Sequence, residues 1–211
     1  MNRQVSPALA SVFASRFANW KPLGEGGEGA VFAVWDRNRK SDVALKVMRD
    51  TGEADLGERF EREYGILAAS RSNHLVTVHD YGQEQVPAAT GDSVVHYWYT
   101  MERCESSVRS VYRGMPLHER VGVALSVLDG LAFLHAKGIA HRDIKPDNVF
   151  LVKGQAKLGD FGLARASQAA GGANGRGLLM GSPPYLAPER WSGEPIGDER
   201  PSDQYAAGVM I

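Results

Sequence analysis

His141-Arg142-Asp143-Ile144-Lys145-Pro146-Asp147-Asn148, followed nineteen residues after His141 by Asp160-Phe161-Gly162, carries the densest chemistry in the chain. Residues 140–148 read as a loop. Upstream, His118–Lys137 places Val121, Leu125, Leu128, Leu131 and Leu134 on one helical stripe, and Gly138 fits a helix stop. Downstream, residues 149–158 read as a short strand pair and residues 166–182 as a long glycine-rich loop. Beyond Glu102 the texture is mostly helical.

The first hundred residues read differently. Residues 1–16 form a lead-in with room for one short helix. From Phe17 the pattern is strand-like: Trp20–Leu23, Ala30–Trp35, Val43–Met48, Leu75–Asp80 and Val94–Met101 are rich in β-formers. Residues 83–92, with proline, glycine and small polar side chains, read as a loop. Ala54–Ser70 repeats Phe60, Tyr64, Leu67 and Ala68 at helical spacing. The order is a small β-rich half with one helix, a hinge near residues 102–105, then a helical half, which makes the fold class α+β.

Bulk properties narrow the function classes. The chain has 211 residues, 43% of them apolar, enough for a sizeable core. A formal net charge of −1 provides no global attraction to nucleic acid or an anionic membrane. No segment approaches the roughly 20 apolar residues of a membrane span, and the N-terminus lacks the build of a secretory signal. The single cysteine, Cys104, has no partner for an internal disulfide, and the six histidines are scattered without zinc spacing. These features fit a cytoplasmic setting.

Two further segments carry chemistry. Gly24-Glu25-Gly26-Gly27-Glu28-Gly29-Ala30-Val31 fits GxGxxGxV between two strands. Such a turn brings backbone N–H groups close to phosphates, although a plain glycine-rich hairpin looks the same. A helix rather than a strand would follow it in a dinucleotide-binding fingerprint. Lys46 lies seventeen residues after Gly29 in the apolar strand Val43-Ala44-Leu45-Lys46. A lysine there ordinarily extends its ammonium to water; beside a phosphate loop it serves as a cation. Glu63, on the helix that follows and on the side of Leu67, is preferred over Glu61 as its carboxylate partner.

With H-R-D-x-K-P-x-N and D-F-G in this order, the chain resembles the Hanks-type serine/threonine protein kinases, with a bacterial flavour in the Gly-Glu-Gly-Gly-Glu-Gly loop and compact hinge. The resemblance covers residues 17–211. It implies a two-lobed fold, a small β-rich N-lobe (17–103) and a mostly helical C-lobe (104–211). It also implies transfer of the γ-phosphoryl group of ATP to serine or threonine of a protein substrate. By that resemblance Asp143 accepts or orients the substrate hydroxyl proton, and Lys145 contacts the transferring group. Asn148 and Asp160 are then oxygen ligands of Mg2+. Lys46, held by Glu63, meets the α- and β-phosphates, under the loop of Gly24, Glu25, Gly26, Gly27 and Gly29. Met101, Glu102 and Cys104 resemble the hinge that hydrogen-bonds adenine, and Val31, Ala44 and Phe150 would sandwich it. Leu67, Val78, His141 and Phe161 match an apolar column of active kinases. Gly181 to Glu189 resembles the peptide-docking segment, with Ser182 bracing Asp143 and Lys145.

Two departures accompany the match. Ser202 to Gly208 looks like the start of the family's central C-lobe helix, with Asp203 tying down the catalytic-loop backbone. Ile211 ends the chain inside that helix, so a truncated C-lobe is expected, and Glu189 would lack its arginine partner. Arg142 and Arg165 match residues that bind a phosphate on the activation loop. Yet between Asp160 and Glu189 the hydroxyl side chains are Ser167, Ser182 and Tyr185, and residues 177–180 hold no serine or threonine. Those arginines therefore need another anion or stay solvated. The alternative function is a catalytically impaired kinase-fold fragment that binds nucleotide or acts as a scaffold. A small-molecule phosphotransferase is disfavoured by the docking segment.

Overall fold

A computed structural model describes residues 6–26, 29–48, 56–88, 91–161, 182–192 and 196–210, without the side chains of Leu56, Arg59 and Glu63. The chain divides into two compact units, residues 1–70 with 77–103, and residues 71–76 with 104–211.

The first unit is built on a five-stranded antiparallel sheet: β1 (Phe17–Gly26), β2 (Gly29–Asp36), β3 (Ser41–Met48), β4 (Val78–Pro87) and β5 (Ser93–Met101), in the spatial order β1-β2-β3-β5-β4. Two helices accompany it, α1 (Pro7–Val12) and α2 (Leu56–Ala69). Val43 to Met48 are all buried, so β3 reads as a continuous apolar run rather than an alternation. Successive side chains still point to opposite faces. Val43, Leu45 and Val47 join Phe32, Val34 and Trp98 in a core with Leu9 and Phe13. The lead-in is thus packed into the sheet. Phe13 stacks edge-on against Trp98 at 5.8 Å and lies 5.7 Å from Phe17, while Trp20 meets Phe32 at 5.2 Å. Each such pair adds about 1 kcal/mol beyond its buried area.

Arg16 fastens the same corner. Its guanidinium donates to Asp36, which is fully buried, and to Asp80, and it lies 4.9 Å from the Phe17 ring. Burial alone would raise the Asp36 pKa, but hydrogen bonds from Arg16 and from the backbone of Arg39 and Asn38 hold it below the usual carboxylate value.

The opposite face takes α2. Tyr64 packs on Tyr99 at 4.4 Å, and Phe60 lies 5.1 Å from Tyr97. The expected loop at residues 83–92 is instead strand as far as Pro87, because Gln83, Glu84 and Gln85 pair with Tyr97, His96 and Val95 of β5. Polar composition there reflects an edge strand half in water. The expected strand Leu75–Asp80 is also divided: β4 starts at Val78, whereas Leu75 forms a parallel bridge with Leu158 in the second unit.

The second unit contains β6 (Ser106–Ser107), α3 (Val108–Val111), α4 (Leu117–Ala136), β7 (Val149–Val152), β8 (Gln155–Leu158) and α5 (Arg200–Met210). Strands β6, β7 and β8 form a small antiparallel sheet. Helix α4 buries the C-terminal members of the expected stripe, Leu131 and Leu134, but turns a different face inward over its first half. Val123, Ala124, Val127, Gly130, Leu131 and Leu134 are inside, while Val121, Leu125 and Leu128 are exposed. The helix is apolar on more than one side, so spacing alone does not choose a face. Gly130 favours the observed one: a Cβ there would lie 3.0 Å from the His74 carbonyl oxygen, tighter than most such contacts, so glycine eases the close approach. Among the described residues, no helix is long and apolar enough to cross a membrane.

Candidate active site

In the first unit the strand register gathers the expected nucleotide residues on one sheet face. Val31 is opposite Lys46, Ala33 opposite Ala44, Ala44 opposite Met101, and Lys46 opposite Tyr99. Val31, Ala44, Lys46, Tyr99 and Met101 therefore share the face on which Tyr64 of α2 packs. Lys46 is only 4% exposed, so the ordinary water-seeking lysine is excluded. Glu63 is carried by α2, and its side chain lies outside the described residues. Gly27 and Glu28 also lie outside them. Gly24 pairs with Val31. Gly29, at φ 153°, would place a Cβ 2.2 Å from the Val47 carbonyl oxygen, so this position admits glycine alone. Glu102 closes the unit: its N–H donates to the Thr77 carbonyl at 2.9 Å, and its carboxylate accepts from the Thr77 N–H at 2.7 Å. Leu67 and Val78 are buried in the same unit.

In the second unit the loop between α4 and β7 forms a closed hydrogen-bond cycle. Lys145 Nζ lies 2.6 Å from Asp143 Oδ2. Asn148 Nδ2 donates to that same oxygen and to the Asp143 carbonyl, each at 2.8 Å. The Asn148 carbonyl accepts from Gly159 N–H, which ties the loop to the residue before Asp160. The carboxylate is 5% exposed and thus held in one orientation by a cation and an amide. His141 Nε2 donates to the Gly159 carbonyl at 3.1 Å, and its Nδ1 accepts from Asp143 N–H at 3.4 Å, which fixes the tautomer. Its ring lies 5.5 Å from Phe161. Asp160 has φ 58°, a left-handed backbone that non-glycine residues adopt at a cost of about 1 kcal/mol. Cys104 begins this unit and is partly buried. Phe150, on β7, pairs with Ser107 and Lys157.

The loop is anchored from α5. Asp203, 2% exposed, accepts from His141 N–H and Arg142 N–H at 2.7 Å each and from His135 Nε2 at 2.9 Å. Arg142 has φ 71°, so the carboxylate grips the strained residue just before Asp143. The Arg142 guanidinium donates to Glu199, which also stands 3.5 Å from Arg190. Glu189 is exposed and accepts from the Ser202 hydroxyl at 2.7 Å, and that bond holds its pKa below the usual value. The expected unpaired carboxylate is therefore both solvated and re-paired. Ser182 lines a cavity of about 20 Å³ with Asp143 and Arg142. Its described hydrogen bond runs through its carbonyl, to Tyr185 N–H. Gly162 and Arg165 lie outside the described residues.

Pattern reading missed His135, Arg190 and Glu199, and it placed Ser202 in the central-helix stretch without its bond to Glu189. The first three stand in no motif, and the Arg142–Glu199 contact joins residues 57 positions apart.

The sequence profile described as protein kinase domain matches residues 17–211. The chain belongs to the protein kinase family. It is 36% identical to the serine/threonine-protein kinase pkn2 of Myxococcus xanthus, over 94% of this chain and 24% of that protein. It is 34% identical to the serine/threonine-protein kinase PknL of Mycobacterium tuberculosis, over 97% of this chain and 50% of the other. PknA of the same species is 31% identical over 98% of this chain and 48% of its own length. This kinase chain thus spans about half or less of the curated relatives it matches. The small β-rich lobe followed by a mostly helical one agrees with the family's architecture.

Proposed function

We propose that the chain catalyses transfer of the γ-phosphoryl group of ATP to serine or threonine of a protein substrate. The observation that carries the reading is the Asp143 carboxylate held by Lys145 at 2.6 Å and Asn148 at 2.8 Å. A carboxylate so oriented accepts a hydrogen bond from a hydroxyl and takes its proton as the oxygen attacks phosphorus. The new O–P bond forms as the bond to the ADP leaving group breaks. Lys145, already on the same carboxylate, neutralises charge on the transferring group. Buried Lys46, beside Val31 and Ala44, is the cation for the α- and β-phosphates, with Glu63 as its partner. Gly24, Glu25, Gly26, Gly27 and Gly29 cover the phosphates, while Met101, Glu102 and Cys104 meet the adenine edge and Phe150 its ring. Ser182 belongs to the protein-docking segment.

A divalent ion fits the donor set. Among the described residues there is no cluster of three or more His, Cys, Asp or Glu that holds a metal. Asn148 commits its Nδ2 to Asp143, which leaves Oδ1 as an oxygen donor, and its carbonyl is bonded to Gly159, the residue before Asp160. Two protein oxygens, with phosphates and water supplying the rest, suit Mg2+ better than an all-protein cage. Bound there, Mg2+ would neutralise phosphate charge.

Residues 17–211 form one kinase domain, with N-lobe 17–103 and C-lobe 104–211, after a lead-in of residues 1–16. ATP as donor and a lone, partly buried cysteine favour a cytoplasmic site of action. The test is transfer of labelled phosphate from ATP to a generic basic protein, followed by phosphoamino-acid analysis. Phosphoserine or phosphothreonine that disappears in Asp143→Asn is the expected result. Equal transfer by Asp143→Asn refutes the assignment.

A further inference from the structure

The Arg142 guanidinium raises a question that the transfer chemistry leaves open. Arg142 directly precedes Asp143, its backbone is strained at φ 71°, and its side chain is 16% exposed. A cation so nearly buried needs an anion. The acidic side chains that line the cavity beside it are Asp143 and Asp203. Each already has work to do. Asp143 holds Lys145 and Asn148, and Asp203 holds His135 and two backbone N–H groups. Among the described residues, Glu199 forms an ion pair with the Arg142 side chain; it is 15% exposed, in the turn just before α5. Glu199 also lies 3.5 Å from Arg190, whose side chain is 9% exposed and follows the docking segment. One carboxylate therefore ties the catalytic loop to the docking segment, four residues ahead of Asp203.

We propose that Glu199 is a positioning residue of the transfer site: the fixed intrachain anion that holds Arg142 away from Asp143, in the role a phosphate on the preceding loop would otherwise fill. The proposal rests on the kinase reading above. Arg142 is pinned at both ends by a single stretch of chain, its N–H by Asp203 and its guanidinium by Glu199. Without the Glu199 charge, the guanidinium turns to the carboxylates that line the same cavity, Asp143 and Asp203. A second cation on Asp143 weakens it as a proton acceptor and competes with the substrate hydroxyl. ATP binding draws on other residues, so the loss falls on kcat and not on the KM for ATP. The sequence agrees: residues 177–180 offer no serine or threonine to carry a phosphate.

The experiment compares wild type, Glu199→Gln and Glu199→Asp of this chain. Transfer kinetics, thermal melts and hydrogen exchange over residues 139–145 are measured, and the wild type is assayed before and after phosphatase. Glu199→Gln is expected to lower kcat about tenfold or more and leave the KM for ATP within about twofold. Exchange at the Arg142 and Asp143 amides should rise about tenfold while the melt stays cooperative. Glu199→Asp, which keeps the charge, should recover most of kcat. Phosphatase should leave the wild-type rate unchanged. An unchanged kcat or unchanged exchange in a folded Glu199→Gln protein overturns the proposal, as does a wild type silenced by phosphatase. If Glu199→Gln gives no melt, the double variant Arg142→Gln/Glu199→Gln decides: with no guanidinium left to turn on Asp143, a cooperative melt and kcat within about threefold of wild type support the proposal, and lost transfer or no melt overturns it. A wild type that transfers nothing refutes the kinase reading, while the exchange comparison still decides the role of Glu199.

Discussion

Replacing Asp203 with asparagine changes one oxygen to an NH2 group at almost constant volume. The carboxylate accepts three hydrogen bonds: from His135 and His141 at Oδ2 and from Arg142 at Oδ1. Asparagine keeps one acceptor oxygen. Placed at Oδ2 it preserves two of the three, so the NH2 faces Arg142 N–H across 2.7 Å. A buried backbone donor left unpaired costs about 2 kcal/mol. The two surviving bonds lose their ionic partner, and charge-assisted bonds are roughly twice as strong as neutral ones, so about 1 kcal/mol more is lost. The total is about 3 kcal/mol, less whatever strain the left-handed backbone of Arg142 sheds once its restraint is gone. With a urea m-value of about 2 kcal/mol/M, the unfolding midpoint falls by about 1.5 M. Ser202→Ala is the control: its hydroxyl serves an exposed Glu189, and its loss should cost under about 1 kcal/mol. Urea unfolding followed by circular dichroism measures both. A loss below about 1 kcal/mol in Asp203→Asn, or equal losses in the two variants, would show that the carboxylate does not restrain the loop.

Asp160→Asn should abolish transfer and lower magnesium-dependent ATP binding, read by kinetics and calorimetry, because a charged hard oxygen is removed; unchanged transfer sinks the metal-site assignment. Lys46→Met should keep the fold and cut transfer by about a hundredfold or more. Paired circular dichroism and kinetics check this, and activity lost only through unfolding would make Lys46 structural. Asp36 has a folded pKa below its unfolded value, so its contribution to stability is full above about pH 4 and is lost as pH falls through the folded value. Melts of the wild type between pH 7 and 3 should therefore fall in temperature below about pH 4. Arg16→Met should be less stable at pH 7 and show a shallower acid loss; parallel curves would remove Arg16 as the cause.

Much of the candidate site was legible because its members are neighbours in the chain. Asp143, Lys145 and Asn148 lie within six residues, and the loop that joins them is too short to place them far apart. Strand pairing around Gly29 to Met48 was equally local, since a polar turn between two apolar runs leaves few other registers. Spacing after the glycine loop singled out Lys46 as a phosphate cation, but its burial and the sheet face it shares with Val31 and Ala44 follow from cross-strand register. The failures have one source. The sides of α4 are alike in hydrophobicity, and the buried one was favoured by a glycine's approach to the His74 carbonyl, 56 residues away in sequence. The strand to Pro87 exists because β5 offers it hydrogen bonds, whatever its polar side chains prefer. The hold of Glu199 on Arg142 and of Asp203 on His135 joins residues 57 and 68 positions apart. Local composition determines which side chains are available. Which cation meets which carboxylate depends on packing between distant elements, because a buried charge must take the partner that the fold brings within reach.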